Sequence, residues 1–128
     1  MTTTVTLKKA YGDPSIEVII GQANWGAYKI KLWDKENQNG VVVGSGFSGD
    51  NIADIHVIGT VPTLKNRYLT WLLRSASLSP SDGDRYAMTV LIKQNGKTVP
   101  GGIFTYSGPL TAAEPVKSVG DFVLMNVV

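Results

Sequence analysis

Apolar and polar residues alternate along many short segments of this chain, and this pattern constrains the fold more than any other feature. Residues 14–21 and 27–33 show it most clearly, because isoleucine, valine, tyrosine or leucine occupies every second position. Successive side chains of a strand point to opposite faces, so each segment can bury one face and expose the other. The pattern therefore predicts strands that each contribute one face to a core.

Glycine, proline, asparagine and aspartate separate these segments, and helical patterns are scarce between them. Asn39-Gly40 and Asn95-Gly96 supply turns that tolerate positive φ, and the second is typical of a two-residue type I′ hairpin. The sequence predicts an all-β fold, an antiparallel β-sandwich or jelly roll of about eight or nine strands, as a single domain over residues 1–128. Besides the two clearest segments, strands are predicted at 3–9, 41–45, 52–58, 86–93, 99–106 and 121–128.

Residues 64–76 fit two patterns. Their apolar residues recur at helical spacing, whereas in an extended conformation Leu69, Trp71 and Leu73 share one face. We prefer a strand because all surrounding segments are β, and one helix on the sandwich is the alternative.

Charge and cysteine content exclude several functions. Twelve Lys and Arg against ten Asp and Glu give a net charge of +2, without the basic cluster that nucleic-acid binding usually needs. The absence of cysteine excludes disulfides, thiolate nucleophiles and cysteine-ligated zinc. No cofactor and no nucleic-acid partner is therefore expected.

The N-terminal residues 1–9 lack the apolar stretch of a signal peptide, and no apolar run approaches the roughly 18 residues of a membrane span. We therefore expect a soluble protein that is cytoplasmic at synthesis.

His56 is the only histidine, and in a strand it shares a face with Asp54. A hydrolase would add a serine such as Ser45 or Ser48, but the Gly-x-Ser-x-Gly elbow and its strand-turn-helix context are absent. We therefore expect a solvent-facing polar pair, no catalytic residue and a non-enzymatic protein.

The segment 44–49 matches the Gly-x-Gly-x-x-Gly pattern of dinucleotide-binding loops. No helical pattern follows and no βαβ unit can be drawn, so a glycine-rich bend between strands is the better interpretation. Two groups, Asp82 with Asp84 and Asp50 with Asn51 and Asp54, offer oxygens for calcium. The EF-hand spacing is missing, and local turns are expected instead of a metal site.

The tryptophans carry the remaining functional signal. Trp33 shares the strand parity of two lysines and precedes Asp34, whereas Trp25 follows Asn24 in a predicted loop. An exposed indole covers the apolar face of a sugar while nearby amides and carboxylates bind hydroxyls. The alternative is that each ring folds over the rim of the sandwich into the core. Trp25, Trp33, Asp34 and Asn24 are the predicted ligand-binding residues.

The C-terminal segment 121–128 is apolar on both faces. Such a strand lies inside a sheet, or it meets a second subunit with its outer face.

Because the tryptophans carry the functional signal, the leading hypothesis is a lectin-like carbohydrate-binding module. The alternative is an assembly subunit that makes protein contacts, with a homo-oligomer formed through the C-terminal strand.

Overall fold

The computed structural model describes residues 3–21, 25–34, 38–48, 53–77 and 84–128. Within these ranges the chain forms nine β-strands and one turn of 3₁₀ helix, Val61–Thr63. The strands are β1 (Thr3–Leu7), β2 (Ser15–Ile20), β3 (Trp25–Trp33), β4 (Val41–Ser48), β5 (Asp54–Val57), β6 (Tyr68–Ala76), β7 (Arg85–Gln94), β8 (Lys97–Pro109) and β9 (Val116–Val127).

Two sheets pack face to face around one apolar core. The five-stranded sheet has the order β1-β9-β6-β3-β4, and the four-stranded sheet has the order β5-β2-β7-β8. Neighbouring strands are antiparallel except β1 and β9, which run parallel. The all-β sandwich predicted from the alternation is confirmed, and the parallel pair is the one departure from antiparallel pairing among the described strands.

The ambiguous stretch forms strand β6, as preferred. Leu69, Trp71 and Leu73 are all buried in the core, so the two-residue period prevails over the helical spacing. β6 lies between β3 and β9, where hydrogen bonds to strands on both sides favour the extended conformation.

The predicted hairpin is also confirmed. Gln94 pairs with Lys97, which leaves Asn95 and Gly96 as the two-residue tip, with φ of 52° and 74°. Asn39, in the other predicted turn, has a φ of 56°. Positive φ at both tip positions is the requirement of a type I′ turn.

The C-terminal strand lies inside the five-stranded sheet. β9 pairs with β1 on one side and with β6 on the other, and Val123 is fully buried. Leu124 faces the outer surface of the sheet and is half-buried. Among the described residues, no helix has the length and apolar character to cross a bilayer.

The two faces of β9 respond differently to charge. We expect Val123→Lys to prevent folding, because it places an ammonium among core side chains with no partner. Leu124→Lys reaches solvent and should leave the fold intact. Circular dichroism and urea unfolding measure both outcomes. Light scattering then tests the predicted oligomer by measuring the molar mass of the wild type and of the Leu124→Lys variant. If the wild type forms an oligomer through β9, the folded variant should be a monomer. A folded Val123→Lys would contradict the assignment of faces.

Candidate functional site

The outer face of the five-stranded sheet carries both predicted tryptophans. Along β3, Tyr28, Ile30 and Leu32 are buried, and the alternate positions, which include Trp25 and Trp33, point away from the core. Trp33 therefore shares the face of the lysines, as its parity predicted. Neither indole enters the core, so the rim-plug alternative is wrong for both rings. Trp25, expected in a loop, is the first residue of the strand.

Trp25 forms an open aromatic pair with Phe47 of the neighbouring strand β4. Trp25 is 49% exposed and Phe47 is 73% exposed. Their ring centroids are 5.6 Å apart and their planes are inclined at 40°. The sequence does not point to Phe47, because the glycines of residues 44–49 favour a bend there, whereas β4 extends through Phe47. We call Trp25 and Phe47 the aromatic pair; much of the surface of both rings is open to solvent.

Trp33 is more constrained than Trp25. Its indole Nε1–H donates to the Thr70 hydroxyl at 2.8 Å, and Lys31 Nζ lies 5.4 Å from its ring centroid. The backbone of Gly40 packs against the six-membered part of the indole, where a Cβ would lie only 2.6 Å from the ring. Trp33 therefore lies flat on the sheet, half-buried, with its polar atom already bonded.

Asp34 takes part in a local network at the same end of β3. Arg67 Nη2 lies 3.1 Å from one carboxylate oxygen, and Asn39 Nδ2 donates to the other at 3.1 Å. These contacts fix the carboxylate but leave it exposed to solvent.

The structure does not bring the predicted site residues together as one site. Trp25 and Trp33 lie on one face but at opposite ends of the strand, roughly 26 Å apart at about 3.3 Å per residue. Asn24 lies outside the described residues. Trp33 and Asp34 are neighbours, whereas Trp25 has Phe47 as its partner.

Cationic side chains occupy the sheet between the two tryptophans. Lys29 and Lys31 lie on β3, and Arg74 lies on β6 opposite Ala27. Within the described part of the five strands, no outward position carries a carboxylate. The outer face therefore combines exposed aromatic rings with positive charge, which suits a ligand with apolar ring faces and anionic or hydroxyl groups.

A polar cluster joins the two sheets on the side where β4 and β5 form their edges. The Tyr28 hydroxyl lies 3.0 Å from Asp54 Oδ2 and 2.6 Å from His56 Nε2. Burial, together with the hydrogen bond and negative charge of Asp54, raises the pKa of Tyr28 from 10.0 to about 12. We call Tyr28, Asp54 and His56 the edge cluster.

The edge cluster corrects the expectation of a solvent-facing polar pair. Asp54 and His56 share a strand face, as predicted, but that face points inward to Tyr28. The apolar Ile55 and Val57 point outward and are 61% and 63% exposed. β5 can turn its polar face inward because Tyr28 supplies a polar partner for both Asp54 and His56 inside the sandwich.

Residues 44–48 of the glycine-rich segment are strand rather than the expected bend, and Gly49 lies outside the described residues. Gly44 and Gly46 are part of β4, and their inward positions face the edge cluster. A Cβ on Gly44 would lie 2.7 Å from His56 Cγ, and one on Gly46 would lie 2.8 Å from the Tyr28 hydroxyl. These glycines are therefore required by close packing of side chains against the strand.

Of the candidate nucleophile and calcium residues, the structure describes the side chains of Ser45, Asp54 and Asp84. Ser45 lies between the two inward glycines and points to the outer face, away from His56. The side chain of Ser48 and residues Asp50, Asn51 and Asp82 lie outside the described part of the chain. Asp84 accepts a hydrogen bond from Ser77 at 2.9 Å. The described residues contain no group of three or more His, Cys, Asp or Glu that could hold a metal ion.

Comparisons with known protein families, curated proteins and solved structures found no match to this chain. Function is therefore inferred from the side chains themselves.

The close approach of Gly44 to His56 can be tested by a double-mutant cycle. We expect Gly44→Ala to cost about 1–3 kcal/mol of unfolding free energy, because the new methyl group overlaps the imidazole. In the His56→Ala background the same change should cost much less, because the ring is gone. Urea unfolding of the four proteins measures the coupling, with Gly59→Ala as a control at a less crowded glycine. Equal costs of Gly44→Ala in both backgrounds would contradict the packing.

The raised pKa of Tyr28 predicts a loss of stability in alkali. The folded protein retains the hydroxyl proton from pH 10 to about 12, where an unfolded tyrosine has lost it, so the unfolding free energy falls as pH rises through this window. Tyr28→Phe should remove that part of the fall. Burial also raises the pKa of Tyr106. Tyr106→Phe is therefore the control for Tyr28→Phe, because it too removes a partly buried tyrosine hydroxyl. Ultraviolet difference titration counts the tyrosines that lose their proton above pH 10, and it should count one fewer in Tyr28→Phe than in the wild type. An unchanged count would refute the raised pKa of Tyr28.

Proposed function

We propose that this protein is a non-enzymatic, lectin-like module that binds carbohydrate on the outer face of its five-stranded sheet, at the aromatic pair. The observation that carries the proposal is the exposed Trp25–Phe47 pair beside outward-facing polar and cationic side chains. Exposed rings of this size are costly to leave in water, and such exposure typically marks a surface that meets a ligand or partner.

The geometry of the aromatic pair supports stacking on sugar rings. The flat faces of an indole and a phenyl ring match the apolar C–H faces of a pyranose. Ser45 lies on the same strand as Phe47, and Lys29 of β3 is the pairing partner of Ser45. Arg74 follows in the same sheet, opposite Ala27. These side chains offer hydrogen-bond donors to hydroxyl or acidic groups of a sugar held on the rings.

The charge of the outer face favours an acidic glycan. Lys29, Lys31 and Arg74 point outward, and no carboxylate lies among them on the described strand positions. A field of one sign attracts an oppositely charged ligand and discriminates against others. Because the lysines continue along β3 from Trp25 to Trp33, an extended polysaccharide fits this surface better than a single sugar.

The alternative function, an assembly subunit, has one observation in its favour. β5 is an edge strand of the four-stranded sheet, and its outward Ile55 and Val57 are exposed. Exposed apolar edge strands pair readily with another chain. In this alternative the surface at β5, or the outer face of β9 around Leu124, contacts a second copy of the protein.

A glycan array read together with intrinsic tryptophan fluorescence tests the proposal. We expect saturable binding to carboxylated or sulfated polysaccharides, weaker binding to neutral ones, and a decrease in affinity as salt is raised. Trp25→Ala and Phe47→Ala should each weaken binding at least about tenfold, because they remove a ring from the centre of the contact. Lys29→Gln combined with Arg74→Gln should reduce the preference for acidic glycans.

The controls are matched in chemistry and exposure. Ile103→Ala removes an exposed apolar side chain from the other sheet, and Lys65→Gln removes an exposed charge from a loop. Both should bind as the wild type does. No response to acidic or neutral glycans, together with a stable oligomer that Ile55→Lys dissociates, would reject the carbohydrate proposal in favour of the assembly subunit.

A further inference from the structure

A separate concavity lies where the β7–β8 hairpin meets the segment that follows β1. It encloses about 330 Å³ and is lined by Thr6, Lys8 and Tyr11 on one side, and on the other by Gln94, Asn95 and residues 97–100. We call it the hairpin pocket. β1 and β4 are opposite edges of the five-stranded sheet, so this pocket is distinct from the aromatic pair.

A buried glutamine holds the two walls of the hairpin pocket together. Gln94 is only 3% exposed, and its amide accepts from Lys8 N–H at 2.9 Å and donates to Lys8 O at 3.1 Å. It also donates to Gly12 O at 3.0 Å, and Gly12 N–H donates to Asn95 Oδ1 at 3.0 Å. Segments far apart in sequence are thereby fixed against each other. The pocket is preformed, which lowers the entropic cost of binding.

The lining of the pocket combines positive charge with apolar surface. Lys8 and Lys97 are the two charged residues of the lining, and Lys8 Nζ lies 5.3 Å from the Tyr11 ring centroid. Pro100 and the Tyr11 ring, which are both exposed, contribute apolar surface, whereas Val99 is largely buried in the core. None of the lining residues is acidic, so the lining carries a net positive charge.

We propose that the hairpin pocket binds a small organic acid that carries a carboxylate on a single ring. The carboxylate meets the ammonium groups of Lys8 and Lys97, where a charge-assisted contact is stronger than a neutral one. The ring packs against Pro100 and Tyr11. A volume of about 330 Å³ is at the lower end of the roughly 300–1,000 Å³ typical of small-molecule sites, which limits the ligand to about one ring.

The test uses two acids and their neutral counterparts on the full chain. Benzoate is compared with benzamide, and glucuronate with glucose, by following backbone amide shifts in NMR titrations. We expect both acids, or the one whose ring fits, to shift amides of Thr6 and Thr98 in a saturable manner. The neutral counterparts should bind at least about fivefold more weakly, the factor that corresponds to roughly 1 kcal/mol for an exposed ion pair.

Variants separate a specific pocket from general attraction to a basic surface. Lys8→Gln and Lys97→Gln should each weaken binding about fivefold, whereas Lys9→Gln, next in sequence but outside the lining, should not. Trp25→Ala should also leave this binding unchanged, so the result is independent of the carbohydrate proposal. Equal binding of acid and neutral compounds, equal effects of Lys8→Gln and Lys9→Gln, or no shifts at all would overturn the assignment.

Discussion

The hydroxyl of Tyr28 is the contact on which one side of the sandwich depends. It reaches from the five-stranded sheet to Asp54 and His56 of a strand only four residues long. A phenol has one proton, so when Tyr28 donates to Asp54, the Nε2 of His56 has to carry a proton and donate to Tyr28. Two neighbouring features follow from this arrangement. Ile55 and Val57 are turned outward, and the facing strand has glycine where a side chain would collide with the cluster.

The fold was predictable from sequence because its signals are local. Period-two alternation identified the strands, and Asn95-Gly96 identified the hairpin, since both depend on conformational preferences of neighbouring residues. The orientation of β5 was not predictable, because it depends on Tyr28, a residue distant in sequence. Burial of Gln94 has the same origin, since its partners are backbone atoms of residues 8 and 12.

In the candidate site, too, features set by neighbouring residues were predictable and features set by distant residues were not. The alternation within β3 is enough to predict that Trp33 points outward. The predicted site residues do not form one site, however, because Trp25 and Trp33 lie at opposite ends of that strand. Phe47 could not be predicted because the glycines around it favour a bend, whereas packing of Gly44 and Gly46 against the edge cluster keeps this segment in strand β4. The aromatic pair is formed by side chains on two neighbouring strands, which position binding groups more rigidly than long loops do. In the hairpin pocket, the segment after β1 is held in place by its hydrogen bonds to Gln94 and Asn95.

The parallel pairing of β1 with β9 has a consequence for how the chain reaches its native state. Thr3 lies beside Val123, and almost the whole chain separates the two residues. β1 therefore has no partner in its sheet until β9 has been synthesised. During translation the first strand leaves the ribosome long before that partner, and its apolar residues Val5 and Leu7, fully buried in the finished protein, remain exposed meanwhile. Closing so distant a contact makes folding slow, and the joining of the two strands is expected to be a late step.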